Sequence, residues 1–193
     1  LSTAIAWGVA GCGGQNQPAP AIPVESAVPE AKAPAKPAGT VAERIARAKD
    51  LMAKGDLEGA IVALDEAMLI DPADRGLLGM LVRAYGEAAA KAKATDPAKF
   101  YRYNVTCGGY MRELRDKFKD LTDEEKQLIV TSLRNEASAH AKSLRVEETS
   151  GTLRELKSAG FTDFESLRND PDWTGILKVD QFRTIFDEVA GKS

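Results

Sequence analysis

VAERIARAKDLMAKGDLEGAIVALDEAMLIDP, residues 41–72, decides how the chain is read, because it divides at Gly55 into two segments that each carry one apolar face. In the first, Ile45, Ala48, Leu51 and Met52 recur at the three- and four-residue spacing that stacks side chains along one side of a helix. In the second, Leu57, Ala60, Ile61, Leu64, Ala67 and Met68 do the same. Between them, Gly55 suits the left-handed conformation that ends a helix, and Asp56 supplies a side-chain acceptor that starts the next. Neither helix can bury its stripe alone, so the two are expected to fold back on each other as an antiparallel pair.

Small residues stand where such a pair must approach closely, at Ala48, Ala60 and Ala67, with Leu51 and Leu64 as large partners and Pro72 closing the unit. This spacing resembles a tetratricopeptide repeat (TPR), and GDLEGAIVALDEAMLIDP carries most of the match. Val82 and Tyr85 fall 34 residues after Ala48 and Leu51, where a second repeat would place their counterparts. The resemblance implies an all-α short solenoid that presents the first helix of each unit to a partner. It puts Ile45, Lys49, Met52 and Arg83 on that groove. Two of the four are cationic, which favours an acidic or carboxylate-bearing peptide, although Ile45 stands where chaperone-binding repeats carry a lysine.

Beyond this unit the helix signals continue in order. Asp71 with Pro72 is expected to open a helix reaching about Ala94, and Asp96 with Pro97 opens another, with Gly108-Gly109 as a weak point near its middle. Thr122-Asp123-Glu124-Glu125 is a capping box ahead of a face formed by Leu128, Ile129, Leu133, Ala137 and Leu144. Thr152 with Glu155 and Thr162 with Glu165 repeat that signature, and Gly160 stops the helix between them. The last stretch, residues 160–189, concentrates Phe161, Phe164, Leu167, Trp173, Leu177, Phe182, Ile185 and Phe186 and reads as a cap. With the asparagine-bearing segment Tyr103-Asn104-Val105-Thr106-Cys107, the run from Asp170 to Phe182 resembles the closing DPDxxxLxxDxxF unit of planctomycete-type bacterial repeat proteins.

The start of the chain reads differently. Residues 1–12 are uncharged, mostly apolar, and end in Val9-Ala10-Gly11-Cys12, which resembles the bacterial lipobox that follows a signal peptide, here truncated within its apolar region. The resemblance implies a lipidated Cys12, and hence a lipoprotein of the bacterial cell envelope facing the periplasm or exterior. Residues 13–40 are rich in Pro and Ala with scattered Lys and Glu, a composition that cannot repay ordering entropy and suits a disordered, polyproline-like linker. The remainder, residues 41–193, is the expected helical domain.

Composition narrows the function classes. The formal charge of −3 and the alternation of acids with bases leave no basic stripe for nucleic acid. Two cysteines and one histidine cannot build a Cys/His zinc cluster, and a nucleophile with its base could only be Cys107 with His140. Nothing in the sequence supplies a third, orienting group, so Cys107 reads as a small packing residue and His140 as half exposed. Asp170 to Gln181 fits a calcium loop at Asp170, Asp172, Thr174 and Gly175, but Gln181 replaces the bidentate carboxylate and Lys178 brings a positive charge. The reading is therefore a non-catalytic protein-binding or scaffolding module without a cofactor, membrane-tethered through Cys12; a calcium-binding helical module is the alternative.

Overall fold

The computed structural model describes residues 39–191, and these are all-helical, with no strand among them. Helix α1 spans Val41–Ala53, α2 Leu57–Met68, α3 Arg75–Ala92, α4 Pro97–Lys117, α5 Asp123–Lys142, α6 Val146–Ser158, α7 Phe164–Arg168 and α8 Asp180–Ala190. Two 3₁₀ turns, Pro171–Trp173 and Ile176–Lys178, lie between α7 and α8. The first six helices form a packed bundle in which each lies against the one that follows; α3 also meets α5, and α6 meets α8.

The turn at Gly55 forms as its residues require. Gly55 has φ +78°, the Asp56 N–H donates to Leu51 O at 2.9 Å, and the Gly55 N–H donates to Met52 O at 2.9 Å, the paired bonds of a Schellman stop. The Asp56 carboxylate then accepts the Gly59 N–H at 2.9 Å and starts α2. Ala48, Ala60 and Ala67 are wholly buried, while Ile45, Leu51 and Met52 are half-buried against the core. Gly160, at φ +94°, ends α6 with the same two bonds, Phe161 N–H to Leu156 O at 3.2 Å and Gly160 N–H to Lys157 O at 2.9 Å.

Several boundaries fall elsewhere than the sequence suggests. Asp71 does not cap α3. Its Oδ1 accepts the Ala73 N–H at 3.0 Å, an Asx turn that uses up the carboxylate, and the cap is Asp74, which accepts the Leu77 N–H at 2.7 Å. Thr152 is buried inside α6 and caps nothing, and α7 is capped by Asp163, not Thr162. Helix α4 runs unbroken through Gly108-Gly109. Helix α5 stops at Lys142, so Leu144 does not extend its apolar face and stands exposed in the turn at φ +55°.

The C-terminal segment covers the end of α5 and α6. Trp173, Phe182 and Phe186 are each 0% exposed, and their rings pack at 5.8 to 6.2 Å between centroids. The Trp173 indole Nε1–H donates to Ser138 Oγ at 2.9 Å, which satisfies the one polar atom of that side chain and pins the cap to α5. Asp170 accepts the Asp172 N–H at 2.9 Å and Pro171 follows it, so this pair starts the first 3₁₀ turn as its chemistry suggests. No helix of the described residues is long and apolar enough to cross a membrane.

Candidate functional site

A cleft of about 520 Å³ opens where the α1–α2 turn meets the end of α3 and the start of α4. The turn contributes Gly55 and Asp56, α2 contributes Leu57 and Glu58, and the last turns of α3 bring Ala88, Lys91 and Ala92. Because Asp96 caps α4 by accepting the Lys99 N–H at 2.9 Å, the first turns of that helix direct Lys99 and Tyr103, four residues apart, to the same side.

The polar groups of this cleft are paired. Lys91 Nζ donates to Gly55 O at 3.2 Å, Lys99 Nζ donates to Glu58 Oε1 at 2.5 Å, and the Tyr103 hydroxyl donates to the same oxygen at 3.1 Å. The bond from Lys99, followed by that from Tyr103, holds the Glu58 carboxyl below its ordinary pKa, and Glu58 in turn raises that of Lys99. Behind them runs an aromatic seam. Tyr103 meets Tyr85 edge-on at 5.8 Å and Tyr85 meets Tyr110 at 5.7 Å. Asp65 accepts both the Tyr85 and Tyr110 hydroxyls, at 3.0 and 2.9 Å. Burial first, and the Asp65 carboxylate with it, push both phenols up. Leu57, Ala88 and Ala92 give the cleft apolar lining beside these ion pairs. None of this was visible in the sequence, since Glu58, Lys99 and Tyr103 come together only when α4 returns to α2.

The four groove residues expected from the repeat resemblance lie outside that cleft. Ile45 and Met52 are half-buried, Lys49 is exposed on α1, and Arg83 is exposed on α3, ion-paired with Glu124 at the start of α5. Also on α1, Arg44 pairs with Glu66 of α2.

Cys107 and His140 have separate partners. The Cys107 thiol is buried and donates to Val82 O at 3.3 Å, with Ser132 Oγ at 3.5 Å, and burial pushes its pKa up to about 11. His140 is 5% exposed rather than half exposed, and Nδ1 lies 3.3 Å from the Tyr101 hydroxyl. Its Nε2 is 3.7 Å from Glu136 Oε1. Glu136, itself 3% exposed, is gripped by Arg112, which also reaches Glu155 at 3.0 Å. This polar network ties α4, α5 and α6 together. Its members are dispersed in sequence among residues 101–155, so only the packed helices reveal it.

In the segment read as an alternative calcium loop, Asp172 pairs with Lys93 at 2.7 Å and Lys142 at 3.3 Å. Burial raises the Asp172 pKa, but the two lysines outweigh it and hold the carboxyl below its ordinary value. Asp170 is occupied as the cap, and Thr174 is exposed. Among the described residues, no group of three or more His, Cys, Asp or Glu side chains converges as a metal site would. Cys12, with the signal-like residues 1–12 and the linker as far as residue 38, lies outside the described residues. Comparison with protein-family models, with curated proteins and with solved structures finds no match for this chain.

Proposed function

We propose that this chain is a non-catalytic protein-binding or scaffolding module of the bacterial cell envelope. In this reading TPR-like hairpins and a C-terminal helical cap ride on a Pro/Ala-rich linker anchored by lipidated Cys12, and a protein or peptide partner docks on the helical domain. The observation that carries the reading is that α1 and α2 pack on each other and that Ala48, Ala60 and Ala67 are fully buried. Val82 and Tyr85, 34 residues after Ala48 and Leu51, are buried as well. The Cys107 thiol, raised to about 11 and bonded to a backbone carbonyl, stays protonated at neutral pH, which supports a packing role over a nucleophilic one.

The anchor is tested by Cys12→Ser. Acyl chains contribute about 0.8 kcal/mol per buried methylene, so losing the acylation site should move the protein from the membrane fraction to the soluble one. Equal membrane association of parent and variant would refute the lipoprotein reading.

A further inference from the structure

A second cleft, of about 260 Å³, lies between α3, α4 and α5, beside the turn at Asp170. Gly86 and Ala90 of α3 leave it open, and Phe100 forms an aromatic wall whose ring carries Lys93 and Lys142 at 6.0 and 5.3 Å. Two of its polar groups lack partners. Asn104 is 1% exposed, and its Nδ2 donates to Phe100 O at 2.9 Å, which settles the orientation of the amide. The amide oxygen, Oδ1, then receives no hydrogen bond from any described residue. That oxygen faces the open cleft and can accept from water or from the donor group of an occupant. Arg134, half-exposed on the α5 side of the cleft, has no acid, carbonyl or ring partner among the described residues.

These groups ask for complementary halves of one ligand. Arg134 offers a planar fork of donors suited to a carboxylate, and Asn104 Oδ1 accepts from an N–H or O–H. Ser138 Oγ, already accepting from Trp173, keeps its own proton to donate. Lys93 and Lys142 share Asp172, and Asp170 keeps its charge while it caps the turn, so with Arg134 three bases face two acids and the one excess positive charge favours a single negative charge on the ligand. At about 30 Å³ per water, the cleft has room for about nine waters, the scale of a small organic acid.

The geometry points to a binding site for a small carboxylate carrying an adjacent N–H or O–H, with the carboxylate on Arg134 and the donor on Asn104 Oδ1. The assignment is independent of the lipid anchor and of the repeat resemblance. A free small acid and the C-terminal residue of a peptide share this chemistry.

The test uses the full chain and follows the Trp173 indole N–H resonance, assigned against Trp7→Phe, because Trp173 bonds to the Ser138 that lines the cleft. N-acetylglycine should shift it saturably, and acetate, which lacks the donor, should bind about tenfold more weakly. Arg134→Gln should weaken N-acetylglycine by about tenfold or more while leaving the circular dichroism unchanged. Asn104→Leu should bring N-acetylglycine down to the level of acetate. If that buried substitution prevents folding, the Arg134→Gln comparison decides. An acetylated tripeptide ending in glycine that binds more tightly than N-acetylglycine identifies a chain terminus as the source, and one that binds more weakly identifies a free acid. The absence of a saturable shift, or equal affinity in Arg134→Gln, overturns the site, and acetate binding as tightly as N-acetylglycine overturns the role of Asn104.

Discussion

The carboxylate of Glu136, on α5, lies against the backbone of Gly108, on α4, in the space where a side chain at 108 would begin. A Cβ there would stand 2.5 Å from Glu136 Cδ and nearer still to one of its oxygens. The glycine is therefore a point of close approach between two helices, although the sequence suggests a weak point in α4. Glu136 cannot yield easily, because Arg112 holds both of its oxygens, at 3.1 and 2.9 Å, in a buried setting.

Gly108 and Gly109 should then respond in opposite directions to alanine. Gly109 is exposed and an added methyl there meets nothing, so Gly109→Ala should stabilise by about 0.5 to 1 kcal/mol through helix propensity. Gly108→Ala should instead destabilise by about 1 to 3 kcal/mol by displacing Glu136. Urea midpoints of the two variants that move together would contradict the packing described for α4 and α5.

Leu144 occupies a position that glycine holds elsewhere in this fold. The Arg145 N–H donates to His140 O and the Leu144 N–H to Ala141 O, both at 3.0 Å, with φ +55° at Leu144, the same stop that Gly55 and Gly160 provide. A left-handed conformation costs an L-residue about 1 to 2 kcal/mol. Leu144→Gly should raise stability by up to about 1 kcal/mol, and Leu144→Val should lower it, since branching at Cβ tolerates this backbone least. Thermal melts in which valine outperforms glycine would rule out the strain.

Arg75 joins the start of α3 to the start of α5. It donates to both oxygens of Glu125, at 2.7 and 2.6 Å, and lies over the Phe118 ring at 5.1 Å. Its bonds, with those from Thr122, lower the Glu125 pKa from 4.5 to about 2. A carboxyl depressed on folding contributes stability above its unfolded pKa and loses it as pH falls through the folded value. The stability difference between the parent and Arg75→Gln should be greatest above about pH 4.5 and should shrink toward pH 2. A difference that is constant across this range would mean that the pair contributes nothing that titrates.

These sites show what local sequence carries. The stops at Gly55 and Gly160, the Asp56 and Asp96 caps, the Thr122/Glu125 box and the Asp170-Pro171 turn are each set by a few adjacent residues and were legible as such. The same signature also misleads. Thr40 and Glu43 form a full capping box for α1 although Thr40 ends a linker-like composition, whereas Thr152 and Glu155 match the pattern in the interior of α6. Asp71 lost its cap to Asp74 because its carboxylate has a nearer donor at Ala73. The Arg112, Glu136 and His140 network and both clefts were illegible, since they unite residues that only tertiary packing brings together. His140 in particular sits among small and polar neighbours that suggest exposure, yet α4 covers it through Tyr101.

The C-terminal cap should be essential for a monomeric fold. Phe186→Ala removes a wholly buried ring that packs on Trp173 and Phe182, and should cost about 3 to 5 kcal/mol. Deleting residues 170–193 should expose the apolar ends of α5 and α6 and cause aggregation. Asp172→Ala should lower stability modestly by leaving Lys93 and Lys142 without their shared acid, and chelator should not alter the melting temperature of the parent. A chelator-dependent melt of the intact chain, with a truncated form that stays monomeric, would replace the cap by a calcium site.

Partner binding by the helical domain is the central claim, and affinity capture with the full chain from envelope extracts tests it most directly. Lys49 and Arg83 are both exposed, and the Arg83 pairing with Glu124 lies at the surface, where such pairs exchange readily. The parent should retain a discrete protein in near-stoichiometric amount, and Lys49→Glu with Arg83→Glu should release it while the fold remains intact. Retention of no protein above background, or equal retention by parent and double variant, would contradict the proposed groove.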